Sequence, residues 1–381
     1  MLVYKSLINE LINRKQLAHN NNNPSESNSP TPSQPENDIA NYIALCINKK
    51  ATIPDLQKLC ESTMHYCIKT KYPHVQTETP KLIFKEIEDD NYFGVYDSNT
   101  NTITINLNYL KKIQDDPFKI LNLIDTMAHE TRHFEQRSAT DFYNNLSDEE
   151  KKKISQQVKQ TLHEYNTYFY LNASQLKLMK DLFLPKEKTQ PFNETVKHFN
   201  NGENFWNDMA MDSYLFNKVE KEARESGHEF AKDIIDMLTI KYRSNSELTN
   251  SLQEIANVYN SNHAETESIY NSNEKVYDWF ISNFTLNEQQ ILDTVKDVDT
   301  SKQNDNNIDM LDFGRVLWFI TQTYPIDKKI SLLEKAMDQN CDSLTSVLIE
   351  SCQVDINYQQ NKERIDSLID ILNDNSELTT C

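Results

Sequence analysis

Apolar residues recur at three- and four-residue spacing along most of this chain, the signature of one buried helix face, and alternate every second position in one short region only. Residues 1–18 place Leu2, Leu7, Leu11 and Ile12 at helical spacing and predict a short N-terminal helix. Residues 19–37, HNNNNPSESNSPTPSQPEN, have no large apolar side chain. Such a segment cannot bury enough surface to offset its ordering entropy, and a disordered linker is expected. Residues 38–70 return to helical spacing, with Pro54 suited to the first turn of a second helix. The segments 82–89, 92–97 and 102–107 are rich in β-branched and aromatic residues and separated by Asp/Asn clusters. Ile103, Ile105 and Leu107 alternate with Thr102, Thr104 and Asn106. These runs predict a small antiparallel β meander.

Helical spacing resumes in DDPFKILNLIDTMAHETRHFEQ, where Asp116 suits an N-cap and Pro117 the first turn. Ile120, Leu123, Ile124, Met127 and Phe134 form one face, and Asn122, Asp125, His129, His133 and Gln136 the other. Ser147 and Glu150 have capping-box spacing and open further helices through about residue 184. A loop is expected around FLPKEKTQPF, marked by Pro185 and Pro191. From Phe205 the pattern is helical again, and beyond about residue 245 it alternates helical runs with polar breaks. The expected fold is α+β, predominantly α, with the meander packed on the histidine-bearing helix and a helical C-terminal addition. Four segments follow: a helix at 1–18, a linker at 19–37, a domain at 38–243 and a helical region at 244–381.

Composition narrows the function. Four glycines in 381 residues argue for long helices and against glycine-rich phosphate loops, and no such motif occurs. A net charge of -19 opposes nucleic-acid binding. No stretch approaches a membrane span, and the N-terminus has no signal-peptide core. The six cysteines form no C-x-x-C pair and read as reduced thiols. Synthesis in a cytosol is expected, with export lacking a cleaved signal, as for a delivered effector, the alternative.

The run TMAHETRHFEQ changes the picture most. It sets His129, Glu130 and His133 as H-E-x-x-H. On a helix, positions four apart share a face one turn apart, so His129 and His133 can present ring nitrogens to one ion. Glu130 can reach a water on that ion, the zincin arrangement. Asp125, one turn before His129, is either a partner that orients it or a solvated charge.

A catalytic zinc needs a third protein ligand. Glu222 shares a stripe with Glu225, Glu229 and Asp233, a solvent face. Glu220 shares one with Ala223, Gly227, Phe230, Ala231 and Ile234, a buried face where a carboxylate needs a partner or a metal. Glu220 is favoured; its alternative role is to cap its own helix. Glu164, Glu203 and His228 remain further ligand candidates. His65, His74, His163, His198 and His263 read as ordinary surface or core histidines.

HETRHFEQ resembles an HExRHxxQ block, and YLFNKVEKEARESG (214–227) is similar to a Y-x-x-N-P-x-E-x-E-A-x-x-x-G pattern. Both belong to small bacterial gluzincin-type zinc metallopeptidases. Lys218 stands in place of the proline. The resemblance, over about residues 80–240, implies that His129, His133 and Glu220 bind Zn2+ and that Glu130 is the catalytic base. The long gap from His133 to Glu220 calls for an inserted helical hairpin, expected over 148–184.

The expected function is hydrolysis of peptide bonds in a protein or peptide substrate. Tyr214, Arg224 and His228 are candidate donors to the oxyanion, and strand 102–107 is the candidate cleft edge for an added substrate strand. The C-terminal helices are a candidate surface for a protein partner. Two other classes compete: a helical interaction protein with a structural or degenerate metal site, and a hydrolase of non-peptide amides.

Overall fold

In the computed structural model, helices dominate and a single small sheet is present among the described residues. Those residues are 35–75, 77–89, 92–166, 170–198, 204–284, 286–301, 308–322, 324–355 and 357–378. The expected helix at 1–18 and most of the expected linker lie outside them. The last linker residues, Pro35 to Asn37, instead open helix α1 (Pro35–Ile47). Helix α2 (Ile53–Lys71) starts on a capping box, in which Thr52 accepts from the Asp55 amide and the Asp55 side chain answers the Thr52 amide.

Three strands follow, β1 (Lys81–Lys85), β2 (Gly94–Asp97) and β3 (Thr102–Asn106). They are not a meander. The order is β1-β3-β2, with β1 parallel and β2 antiparallel to β3. Asn106 supplies the physical reason. Its side chain accepts from the Ile87 amide and donates to the carbonyls of Ile87, Asp89 and Tyr92. The segment after β1 is thereby tied around the end of β3, and β2 returns on the far side. Asp97, accepting from Asn99 and Thr100, shapes the turn into β3. Asn106 also caps α3 (Leu107–Asp115), so β3 ends one residue earlier than its alternation suggests.

Asp116 caps a short 3-10 turn, Pro117–Lys119, before α4 (Ile120–Asn144) begins. The predicted apolar face of α4 is buried. Next come α5 (Asp148–Lys152), started by the Ser147–Glu150 capping box, and α6 (Gln156–Asn166). Helices α7 (Ala173–Phe183), α8 (Lys186–His198) and α9 (Phe205–Leu215) follow. The loop expected around FLPKEKTQPF is mostly helix α8, with Pro191 inside it. Phe192, packed against Trp206, Trp279, Phe280 and Phe284, outweighs the hydrogen bond that Pro191 forfeits.

Helix α10 (Lys218–Tyr242) leads into α11 (Ser246–Ser282), longer than the sequence breaks suggest. Helices α12 (Glu288–Ser301), α13 (Met310–Thr321), α14 (Ile326–Asp338), α15 (Asp342–Gln353) and α16 (Tyr358–Leu378) complete the chain. No helix among the described residues is long and apolar enough to cross a membrane.

Two compact units form, and neither is continuous in sequence. The first holds residues up to Tyr165 together with Lys218–Ile269, the second Asn166–Asn217 together with Tyr270–Cys381. The expected division at residues 243/244 does not describe this. Residues 166–217 are a helical insertion that shares a core with the C-terminal helices. The first core gathers α1, α2, the inner sheet face, the apolar face of α4 and the buried stripe of α10. The second gathers Phe183, Phe192, Phe205, Phe280 and Phe313 with the apolar stripes of α12 to α15.

Candidate metal centre

Helices α4 and α10 carry the site, and a glycine sets their approach. A Cβ built on Gly227 would lie 2.1 Å from Asp125 Oδ1 and 2.8 Å from the Asp125 carbonyl oxygen. No other residue type lets α10 come this close to α4. Ala223, Phe230, Ala231 and Ile234 are buried along the same stripe as the sequence pattern requires.

The stripe also buries Glu220, which is 5% exposed and turned toward the H-E-x-x-H face. Its Oε1 is 3.3 Å from His133 Nε2 and its Oε2 is 3.4 Å from His129 Nε2. The two Nε2 atoms are 3.1 Å apart. Glu220 therefore faces both histidines. Burial alone would raise its pKa. Hydrogen bonds to His129 and His133, and their charges, outweigh burial and hold the carboxyl well below the usual carboxylate range. His133 shows the reciprocal effect: burial would lower its pKa, but Glu220, Glu130 and Gln136 together raise it.

Gln136 adds a supporting layer. Its Oε1 is 2.9 Å from His133 Nδ1, and its Nε2 donates to the Val219 carbonyl at 3.0 Å. One side chain thus ties a ring of α4 to the residue before Glu220 on α10, which fixes the ring nitrogen left facing Glu220.

Glu130 is 6% exposed, and its Oε1 lies 3.9 Å from His129 Nε2. His129, Glu130 and His133 present ligand atoms all within 4.8 Å of one another. The Oε2 of Glu130, however, accepts from the Tyr96 amide at 2.7 Å. That contact ties the helix of the centre to the sheet. Strand β3 lies between its neighbours, so the expected edge at 102–107 is closed. The outer strand beside the site is β2, whose Tyr96 amide points away from β3 and is taken up by Glu130.

A buried ion network lies behind the histidines. Arg132 pairs with Glu135 and Glu222, donates to the Tyr165 hydroxyl at 2.8 Å, and Tyr165 donates to Glu222. Burial would lower the Arg132 pKa, but Glu135, Tyr165, Tyr72 and Glu222 raise it, so it stays a cation. Glu222 is consequently not a solvent-face residue. It is half-buried and clamps α10 to α4 two residues past Glu220. Its partner sits on another helix, so no spacing within α10 reveals it.

The remaining candidates separate clearly. Glu164 pairs with Lys218, and Glu203 lies outside the described residues. Tyr214 belongs to the second unit, where its ring packs on Tyr170 at 5.4 Å. Arg224 is half-buried, one turn beyond Glu220. Asp125 accepts from the Tyr259 hydroxyl at 2.6 Å, with no hydrogen bond to His129 among the described contacts. His228 Nδ1 meets the same hydroxyl at 3.0 Å, and the His228 ring stacks on His263 at 3.3 Å between centroids. His263, expected to be an ordinary surface or core histidine, belongs to this cluster. The signal that was available is His263 with Glu267 four positions on, which share a helix face.

Cysteines 46, 60, 67, 341 and 352 are buried and unpaired, and burial raises Cys46 to about 12 and Cys352 to about 11. They are inert packing groups rather than ligands. Comparison with models of protein families, with curated proteins and with solved structures finds no match to this chain.

Proposed function

We propose that this chain is a zinc-dependent peptidase of gluzincin type, with His129, His133 and Glu220 as metal ligands and Glu130 as general base. One observation carries the reading. Ligand atoms placed tetrahedrally about 2.0–2.1 Å from zinc stand about 3.3 Å from one another. The two Nε2 atoms here are 3.1 Å apart, and each faces a different oxygen of Glu220, at 3.3 Å for His133 and 3.4 Å for His129. Two imidazoles and one carboxylate leave a fourth position open, the donor set of a catalytic rather than a structural zinc. Bound there, zinc would supply Lewis acidity and bring the pKa of a water at the open position to about 7.

The chain's own groups account for the rest. Glu130 is placed to take a proton from the attacking water and return it to the leaving amine. The Tyr96 amide holds its carboxylate in position beforehand, so no reorientation precedes the transfer. Along β2, Gly94 shares the outward orientation of Tyr96, because backbone groups two residues apart point the same way. Tyr214, Arg224 and His228 stay the candidate donors to the developing oxyanion, with His228 also in contact with the Tyr259 hydroxyl at 3.0 Å.

The test is zinc binding and cleavage of an unstructured protein by the wild type, His129→Ala, Glu220→Ala and Glu130→Gln. Zinc at this centre should be lost in the first two variants and kept in Glu130→Gln, whose cleavage rate should fall by about 10²–10⁴-fold. Undiminished cleavage in Glu130→Gln would overturn the peptidase reading and favour a helical interaction protein.

A further inference from the structure

The insertion of residues 166–217 starts directly after Tyr165, and α10 starts at its other end with Lys218. A chain that leaves and returns over so long a path has to have its two ends held, or the first turn of α10 has no fixed place. Two ties among the described residues hold them. Lys218 Nζ pairs with Glu164 on α6 and lies 3.3 Å from Thr161 Oγ1 on the same helix. The Tyr165 hydroxyl donates to the Glu222 carboxylate and accepts from Arg132 Nη2 at 2.8 Å. An ionised carboxylate only accepts, which fixes that direction. The Arg132 guanidinium also lies 5.8 Å from the centre of the Tyr165 ring.

Both ties grip one face of α10. Lys218 and Glu222 stand four positions apart and share that face. Glu220 is two positions from each and points to the other side of the helix. Holding positions 218 and 222 therefore fixes how this turn is rotated about the helix axis. That rotation aims the Glu220 carboxylate at His133 and His129, 3.3 and 3.4 Å away. The ties differ in strength. Tyr165 is buried, whereas the Glu164 and Lys218 side chains are 33% and 42% exposed, so solvent screens the outer pair.

We propose that Tyr165, Glu164 and Lys218 are positioning residues for Glu220, a clasp that closes the base of the 166–217 insertion and holds the third ligand on the metal centre. The proposal rests on the reading of Glu220 as a zinc ligand. It adds α6 to the two helices that carry the site, and it gives the residues flanking the insertion a task that the insertion's own core does not require.

The test measures Zn2+ affinity of the chelator-stripped full chain, at a temperature where circular dichroism shows every variant folded. Tyr165→Phe keeps the ring beside Arg132 and removes only the hydroxyl. Its affinity should fall by about 10-fold, the lower end of the range for partners that orient a metal ligand. Lys218→Glu sets two carboxylates against each other and should weaken binding by up to about fivefold. Exchanging the charges, Glu164→Lys with Lys218→Glu, should recover most of that loss. A role confined to stability would lower melting temperatures and leave the affinity of the folded chain unchanged. Wild-type affinity in Tyr165→Phe, with zinc lost in Glu220→Ala, would overturn the clasp and leave the ligand assignment standing. Wild-type affinity in Glu220→Ala would sink the ligand assignment, and the clasp with it.

Discussion

The two units bury different chemistry. The first hides Glu130, Arg132, Glu135 and Glu220 from solvent, all on the two helices that face each other across the candidate metal centre. The second hides Phe192, Phe205, Phe280 and Phe313 and, among the described residues, Asp212 and the ion pair of Lys329 and Asp355 at 3.0 Å. Burying a charge costs several kcal/mol before its partner repays any of it, so a fold with free choice packs hydrocarbon, as the second unit does. In the first unit Glu130, Arg132, Glu135 and Glu220 lie within one helical turn of His129, His133 or Glu220, with Lys159 buried apart on α6. Buried charge that converges on one point is what the proposed metal centre would require, whereas the Lys329–Asp355 pair lies within a largely aromatic core.

The largest expected effect tests that distinction. Arg132→Met leaves Glu135 and Glu222 without their cation and should cost about 3–5 kcal/mol, read as a fall in thermal stability. Zinc affinity at the H-E-x-x-H group should fall with it, because Glu222 fixes α10 beside Glu220. Phe192→Ala removes a ring in contact with four other aromatic residues and should cost a similar 3–5 kcal/mol. Below its melting temperature that variant should bind zinc as the wild type does. If Phe192→Ala lost zinc, or Arg132→Met kept full affinity, the contrast between the two regions would be broken.

Two glycines sharpen the contrast with a difference of sign. Gly227→Ala places a methyl 2.1 Å from Asp125 Oδ1 and 2.8 Å from a backbone oxygen that cannot move alone. It should cost about 1–3 kcal/mol by forcing α10 off α4, and it should weaken zinc binding as well. Gly314, within α13, has Val347 Cγ2 at 4.0 Å as its nearest neighbour. Gly314→Ala should therefore stabilise, by up to about 1 kcal/mol, through helix propensity alone. Denaturant midpoints for the two variants give the comparison directly.

What the sequence discloses follows the same physics. The histidine helix and the Glu220 stripe were legible because both are periodicities within one helix, and the structure brings their side chains together. The role of Glu222 was not legible, because its partners Arg132 and Tyr165 lie far away in sequence and only the fold unites them. The meander failed for a related reason: alternation marks a strand but not its neighbours, and Asn106 reroutes the chain by binding the loop from Ile87 to Tyr92. Pro191 misled because a local breaker was read without the packing of the adjacent Phe192. The discontinuous units were hidden because residues 166–217 look like any helical hairpin until their core partners are known.

The smallest effect, and the most selective, is in the pH dependence of stability. His228 in the first unit is lowered to about 4, by burial, His263 and Lys232. An unfolded histidine takes its proton near pH 6.5, so between about pH 6.5 and 4 the unfolded chain binds more protons than the folded one. Stability from this group is complete above that window and lost as pH falls through it. Asp212 in the second unit is raised to about 6, by burial and then by Asp208, against a hydrogen bond from Asn273. Its folded form holds a proton that the unfolded form has released, so its contribution is complete below about pH 4 and lost as pH rises to 6. The two groups pull in opposite directions over nearly the same window, each with a limiting slope of about 1.4 kcal/mol per pH unit. Solvent screening reduces the share of the partly exposed His228. The wild-type profile should be nearly flat there for these two groups. His228→Gln should tilt it toward acid stability and Asp212→Asn toward stability at neutral pH. If both variants tilted the same way, the assignment of opposite titrations to the two regions would fail.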